Sequence, residues 1–528
     1  MKSNIIRNIK RAFDKRNLAF KEIDFESLRK KAKEIKERSI ENYKELLEIF
    51  TRKMQERGVK VFIANSKEEA RHLIKAILEK EKAKSIVSSK SMTSEEIDLK
   101  IYLRKWGFEF NETDLGEWIC DLAFLRPKHI VAPAISFSRF DVKKLFEEKF
   151  NIKLTEKIEE LTAFAREKLE KIFLEADAGL TGANFVFAEE GIVSIFENEG
   201  NFGKTFYFPK TVITLFGIEK FVDSIKNFPP FLRLLPRSAT GQRLTSFVHL
   251  LTNKIGNWYI MIILGKRREI AENKEFKEIL YCIRCGACMN VCPVYGASEA
   301  EGYKGPYNGP IGILFNSLLY NFYSNAFYST LCESCDQVCP VNINISELIR
   351  KLRKEKNLPF KVKMFVKAYS KLKSYPKVAE FIGNYIPLNL LLYFLKSKKL
   401  SNFFDKDFFE EPYIVEERKE NKCFENLWIE YGGKFGEKGK KFKVLYAIEE
   451  TGSLILNSDD FKDFFSEKEV CLELKRKDLL KNFEELFNKD LNLDKNYLFV
   501  SGPSRTADIE KKLIIGVHGP WETYVNLI

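Results

Sequence analysis

The sequence predicts an α/β domain built on a largely parallel sheet, then an α-helical, ferredoxin-like module, then a partial second copy of the α/β domain. Three observations carry this. Short apolar runs alternate with helix-like segments from Lys60 onwards; seven cysteines fall into two tight motifs that each end in Cys-Pro; and AIEETGSLIL near the C-terminus echoes AEEGIVSIF from the middle of the chain. At 528 residues the chain is long enough for three or four units of about 150 residues.

Taken in order, residues 1–58 read as a helical N-terminal extension, with Phe20, Ile23, Leu28, Ala32, Ile35 and Ile40 at helix-like spacing. The α/β domain is set at 59–268. VFIA begins it as a buried strand, Ser66 and Glu69 form a capping box, SIVSS is a second strand, and Thr93 to Glu96 caps a further helix. FEFNETD, a helix from Gly116 and HIVAPAIS as a strand continue the rhythm. A long helix follows over about 157–176, then FVFA and IVSIF as adjacent strands and TVITLFGI as another. Alternation of this kind builds parallel sheets covered by helices. The cysteine module spans 269–355, a helical basic region 356–430, and YGGKFGEKGKKFK makes a Gly/Lys linker at 431–443. Residues 444–528 are the half-copy, in which YLFVSGPSRTADIEK also echoes FLRLLPRSATGQR. At that length the copy needs the rest of the chain, or a partner, to complete its sheet.

Composition narrows the function. The charge of +13 arises from 88 basic and 75 acidic residues interspersed along the chain, which suits attraction to an acidic partner or an anionic surface. No nucleic-acid-binding motif accompanies it, so no nucleic acid is expected. The N-terminus has no apolar core of signal-peptide type, and the most apolar stretches, near 258–264 and 386–395, fall far short of the roughly 20 residues a transmembrane helix requires. A cytoplasmic location is expected, with any membrane contact peripheral. Cysteines in that compartment are reduced, so a dense pattern points to metal or redox chemistry.

That pattern is CIRCGACMNVCP, which sets Cys282, Cys285, Cys288 and Cys292 at the C-x2-C-x2-C-x3-C-P spacing. In two-cluster ferredoxins the fourth cysteine of such a run ligates the other cluster. LCESCDQVCPV supplies Cys332, Cys335 and Cys339, the last three positions of the same pattern, with Ser329 where the first would fall. Cross-ligation then gives one [4Fe-4S] cluster to Cys282, Cys285, Cys288 and Cys339, and a second to Cys292, Cys332 and Cys335. The second lacks a fourth cysteine; Ser329, water, a partner's residue or an absent fourth iron, as in [3Fe-4S], complete it. Zinc would call for two spaced pairs instead. Cys120, Cys423 and Cys471 stand alone and read as inert thiols. No G-x-G-x-x-G lies between a strand and a helix, so no flavin or nicotinamide site is expected.

Polar segments recur where strands should end, and ligands collect at the carboxyl ends of strands in open α/β sheets. Lys90, Asp114, Glu117, Asp177, Asn184, Asn198 and Arg237 are the candidates for such a pocket, against the plainer reading that they form turns and cap helices. In sequence order, ETDLGEW, LTAFAR, PRSATGQRLTS, CIRCGACMNVCPVY, GPIG and LCESCDQVCPV closely resemble the lactate-utilisation iron-sulfur proteins (LutB), which join a LUD domain to a two-cluster ferredoxin module. GPSRTADIEKKLIIGVHGP resembles the end of the LutC family, itself a LUD domain, here shortened. The resemblance implies a LUD fold of the NagB/RpiA/CoA-transferase-like group. It also implies an electron-transfer subunit for oxidation of L-lactate, or a related 2-hydroxy acid, to pyruvate. Its implied partners are a cysteine-rich LutA-like subunit, a LutC-like subunit, and an acceptor protein or quinone pathway. Two other readings compete: a LUD domain acting as an acyl or CoA-type transferase with Glu190 or Glu199 as nucleophile, and an iron-sulfur scaffold for another redox complex.

Overall fold

The computed structural model describes residues 4–355, 423–510 and 512–528. Its first three helices are α1 (Asn4–Phe20), α2 (Phe25–Glu41) and α3 (Tyr43–Glu56). Asp24 starts α2 by accepting the Ser27 N–H at 3.0 Å, and the inward stripe Ile5, Ile9, Ala32, Ile35 and Ile40 joins one core with the cysteine module. The N-terminal extension is therefore a clamp on that module.

Ten strands follow: β1 (Lys60–Ala64), β2 (Ser85–Ser88), β3 (Glu109–Glu112), β4 (Ala178–Thr181), β5 (Phe185–Phe187), β6 (Ile192–Glu197), β7 (Thr211–Gly217), β8 (Phe221–Val222), β9 (Phe247–Leu251) and β10 (Asn257–Ile263). Six of them form a sheet of order β1-β10-β7-β4-β2-β3 in which every pairing is parallel. All residues of β4 and β7 are buried, as strands covered on both faces require. The C-terminal part adds β11 (Lys434–Phe435), β12 (Lys440–Lys443), β13 (Tyr446–Ile448), β14 (Ser453–Ser458), β15 (Glu469–Leu474), β16 (Leu479–Leu480), β17 (Asn496–Val500), β18 (Arg505–Thr506), β19 (Ile514–Ile515) and β20 (Glu522–Leu527).

The second sheet reads β16-β13-β14-β17-β9-β6-β5-β8. It is the same from either end if β13, β14, β16 and β17 are matched to β5, β6, β8 and β9. The two halves meet where β17 pairs antiparallel with β9, Tyr497 opposite Leu250 and Val500 opposite Phe247. The third sheet, β11-β20-β15-β12, is parallel throughout and repeats β1-β10-β7-β4. The C-terminal segment is thus a second LUD-type unit without counterparts of β2 and β3, and its sheet is completed by the first unit through an approximate two-fold.

Four expectations are corrected. Residues 129–136 are an irregular loop, because Pro127 and Pro133 lack donors and the His129 ring Nδ1 takes the N–H groups of Val131 and Ala132. Residues 431–443 are no loose linker, since they carry β11 and β12. FLRLL lies in the helix Pro229–Ala239 whereas YLFV is β17, so that echo is one of sequence alone; β17 matches β9. The cap expected at Thr93 falls at Ser91, which accepts from Ser94 N. The basic region set at 356–430 lies mostly outside the described residues. Removing residues 444–528 strips β9 of its neighbour and leaves a long apolar edge. Such a truncated chain is expected to elute as aggregates in size-exclusion chromatography where the full chain gives a discrete peak.

Candidate metal centre and adjoining cleft

The two cysteine motifs fold alike. Arg284 and Gly286 in the first, and Leu331 and Glu333 in the second, all have left-handed φ, at 61°, 75°, 57° and 65°. Each pair leads into a single helical turn, Ala287–Asn290 or Ser334–Gln337. This places Cys285, Cys288 and Cys292 in register with Cys332, Cys335 and Cys339. Ser329 then corresponds to Cys282, and it makes the same contact: Leu331 N donates to Ser329 Oγ at 3.1 Å, as Arg284 N donates to Cys282 Sγ at 3.4 Å. A Cβ at Gly286 would lie 3.0 Å from the His129 ring, so loop 127–136 requires glycine there.

Cys282, Cys285, Cys288 and Cys339 line one small buried cavity. Cys292 stands by Cys332 and Cys335, and Cys332 is exposed. None of the ten cysteines forms a disulfide. Tyr295 N donates to Cys292 Sγ at 3.5 Å and Ile343 N to Cys339 Sγ at 3.4 Å, the contacts that favour thiolate. Burial pushes the free thiols of Cys339 and Cys292 up to about 11 and about 12, so metal binding must displace their protons. Soft thiolate sets of this kind suit iron-sulfur clusters.

The two sets differ in charge. Arg16 acts on Cys285 and Cys339, Arg29 on Cys339, and Lys36, Lys220 and Arg284 on Cys282. The clamp helices hold three of these cations by backbone oxygens: Arg16 on Val338 at 3.0 Å, Arg29 on Asp336 and Gln337 at 2.8 and 3.0 Å, and Lys36 on Glu219 and Phe221 at 2.7 and 3.0 Å. Cys335 instead faces the Asp336 carboxylate at 3.4 Å. Arg284 reaches into the α/β domain, 3.4 Å from Glu219 and 3.8 Å from Glu96, and Arg267 bonds both carboxylates. Burial alone would raise Glu219, but Arg267 and Arg284 hold it down to about 2.

A cleft of about 530 Å³ opens beside this network, lined by residues following β2, β3, β4 and β7, by α1, by Arg284 and by the C-terminal unit. The carboxyl groups of Asp114, Glu199 and Asp508 gather there within 4.8 Å of one another. They cap the helix Leu115–Leu122: Leu115 N donates to Glu199 at 3.1 Å, Gly116 N to Asp508 at 3.2 Å and Glu117 N to Asp114 at 3.0 Å. Burial and mutual repulsion raise Glu199 well above the usual carboxyl range and Asp114 to about 6, the latter despite Lys90.

Comparison with known proteins gives these features a family. The LUD domain family matches residues 47–272 and 444–528, and the 4Fe-4S dicluster domain family matches 278–343. Lactate utilization protein B of Bacillus velezensis is 38% identical over 380 residues, 69% of this chain and 80% of that protein. The protein of the same name from Bacillus subtilis is 40% identical over 362 residues, 66% of this chain and 76% of its own length. This chain belongs to the lactate utilization protein B family.

Within this lactate utilization protein B fold, Lys90, Asp114, Asn184 and Asn198 line the cleft, at the strand ends where they were expected. The other three pocket candidates do not. Asp177 precedes β4 and binds the N–H groups of Lys84 and Ser85 at 2.8 and 3.0 Å, at the opposite end of the strand. Glu117 is buried near Glu112, Lys90 and Asp114 and does not line the cleft. Arg237 is buried and spent on Ala19 O, Arg243 O and Glu22. Glu190 is held by Ser224 Oγ at 2.6 Å and Ile225 N at 3.0 Å outside the cleft, so of the two nucleophile candidates Glu199 alone faces it. Sequence reasoning missed Lys220, Asp508 and Arg505; the polar run PSRTAD directly after β17 was the available signal. Cys120 and Cys471 are buried and Cys423 half-buried.

Two outcomes follow. Glu219→Gln leaves two buried guanidinium groups short of charge, a loss of roughly 3–5 kcal/mol, seen as a lower thermal midpoint at pH 7. Glu199 has a raised folded value, so its favourable contribution is fully present below about pH 4.5 and is lost as pH rises from there through the raised value. Glu199→Gln keeps the acceptor for Leu115 N and removes this loss. The thermal midpoint of Glu199→Gln is expected to match the parent near pH 5 and exceed it near pH 8.

Proposed function

We propose that the protein is the iron-sulfur electron-transfer subunit of an assembly that oxidises L-lactate, or a related 2-hydroxy acid, to pyruvate. The observation that carries this is the interleaving of the two cysteine motifs. Three thiols of the first and one of the second line a common cavity, while Cys292 crosses to Cys332 and Cys335. Cys282, Cys285, Cys288 and Cys339 would hold one [4Fe-4S] cluster and Cys292, Cys332 and Cys335 a second. Such clusters supply one-electron transfer. Ser329 Oγ is our reading of the fourth ligand of the second, because it stands at the position of Cys282 and receives the matching backbone N–H.

The cations gathered around the first set stabilise added negative charge, whereas Asp336 and solvent surround part of the second, so the two centres would differ in potential. Exposure of Cys332 makes the second centre the side where a redox partner approaches. Partners of this reading are a cysteine-rich LutA-like subunit, a LutC-like subunit, and an acceptor protein or quinone pathway.

The test is anaerobic purification with iron and sulfide counts, electron paramagnetic resonance, and growth on lactate. About eight irons per chain and two coupled signals on reduction are expected. Ser329→Cys should keep both centres and shift the potential of one, while Ser329→Ala should lose one iron and show an oxidised [3Fe-4S] signal. Cys285→Ala should abolish one centre and growth on lactate; undiminished growth on lactate, or zinc without sulfide, would overturn the reading.

A further inference from the structure

The cleft is neither part of the thiol constellation nor closed off from it. Its volume of about 530 Å³ lies in the range of small-molecule sites, roughly 300–1,000 Å³. Three cations on its lining are uncommitted. Arg505 is 4% exposed and gives Nε to Ser246 Oγ at 2.8 Å and Nη1 to Tyr431 O at 3.4 Å, while its buried Nη2 bonds nothing. Lys90 Nζ is also buried without a hydrogen bond. Lys220 is 7% exposed. Among the described residues none of these three forms an ion pair, whereas Arg267, Arg284 and Arg243 each do. Buried charge without a counter-charge is costly, and an anion entering the cleft would relieve it.

The same cleft carries the opposite chemistry in the Asp114, Glu199 and Asp508 group. Each spends an oxygen on the helix Leu115–Leu122, and burial shifts Glu199 well above the usual carboxyl range. This acidic group disfavours a multiply charged anion such as phosphate. It suits a neutral oxygen, hydroxyl or carbonyl, which a carboxylic acid or carboxylate can meet by donating or accepting a hydrogen bond.

We propose that the cleft binds a 2-hydroxy or 2-oxo carboxylate, its carboxylate drawn to Lys90, Lys220 and Arg505 and its adjacent oxygen to the Asp114, Glu199 and Asp508 group. The choice of lactate and pyruvate as probes rests on the proposed function. Arg284 links this site to the metal centre, since its residue lines the cleft and its backbone N–H binds Cys282 Sγ. A bound anion therefore lies within the electrostatic reach of the first set of thiols.

The experiment is isothermal titration of the anaerobically purified, cluster-containing protein with L-lactate, pyruvate and inorganic phosphate, with the reduced-state electron paramagnetic resonance spectrum recorded with and without each. Saturable binding of L-lactate or pyruvate is expected, weakened at least tenfold by Arg505→Met and by Lys220→Met, partly restored by Arg505→Lys, and accompanied by a change in one cluster signal. Should Arg505→Met lose iron, Lys220→Met decides. Absence of binding by both acids overturns the proposal, as does binding that neither variant weakens, or phosphate competing as well as the acids. Failure here with cluster signals and lactate growth intact removes the cleft as a substrate site only. Cluster loss without a lactate phenotype removes the reading on which the probes rest.

Discussion

Everything in this molecule hangs on the buried ion network of Arg284, Arg267, Glu219 and Glu96. Arg284 comes from the middle of the first cysteine motif, and its partners come from the α/β domain. Its guanidinium also lies 3.6 Å from the Phe315 ring centre and 4.8 Å from that of Tyr307, so its plane is fixed by aromatic packing as well as by charge. Removing either side would strand the other in a low dielectric, where unpaired charge is far costlier than at a surface. The α/β domain and the cysteine module are accordingly one structural unit in which the loop carrying Cys282 and Cys285 cannot shift without breaking ion pairs.

The N-terminal helices serve the same constraint from the other side. Arg16, Arg29 and Lys36 bond backbone oxygens of the second cysteine motif and of the segment carrying Glu219. Backbone oxygens orient their heads, with Glu26 also pairing with Arg29, and their charges act on the thiols around them. The helical extension is thereby part of the electrostatic setting of the metal centre.

Much of this could be read from the sequence, and the parts that could not have definite physical reasons. Cysteine spacing fixes which thiols a tight turn can present, so the seven cysteines and the way the two motifs group them were visible in CIRCGACMNVCP and LCESCDQVCPV. Period-two and period-3.6 patterns gave β1 to β3, β5 to β7 and the major helices for the same reason: one face is buried. HIVAPAIS misled because an apolar run can bury itself as a loop when a histidine side chain and prolines settle its backbone groups. Asp177 and Arg237 misled because polarity near a strand end does not say which end, nor whether a side chain turns inward to a carbonyl. Lys220, Arg505 and Asp508 escaped because they meet only through contacts between segments hundreds of residues apart. The strand order β16-β13-β14-β17-β9-β6-β5-β8 was hinted at by one echo and mis-registered by the other, since a strand's partner is set by long-range pairing and not by local resemblance.

The approximate two-fold between the two LUD units has a consequence for stoichiometry. In a symmetric pair every feature on one side recurs on the other, and a cleft would come twice. Here the shorter unit has no counterpart of β2 and β3, nor of the helix that bears Asp114, while it lends Arg505 and Asp508 across the seam to its fuller companion. One half has become the wall of the other's chamber. Such a fused pseudo-dimer builds the described cleft from both of its units, and its asymmetry is written into the covalent structure, so neither dilution nor subunit exchange can undo it.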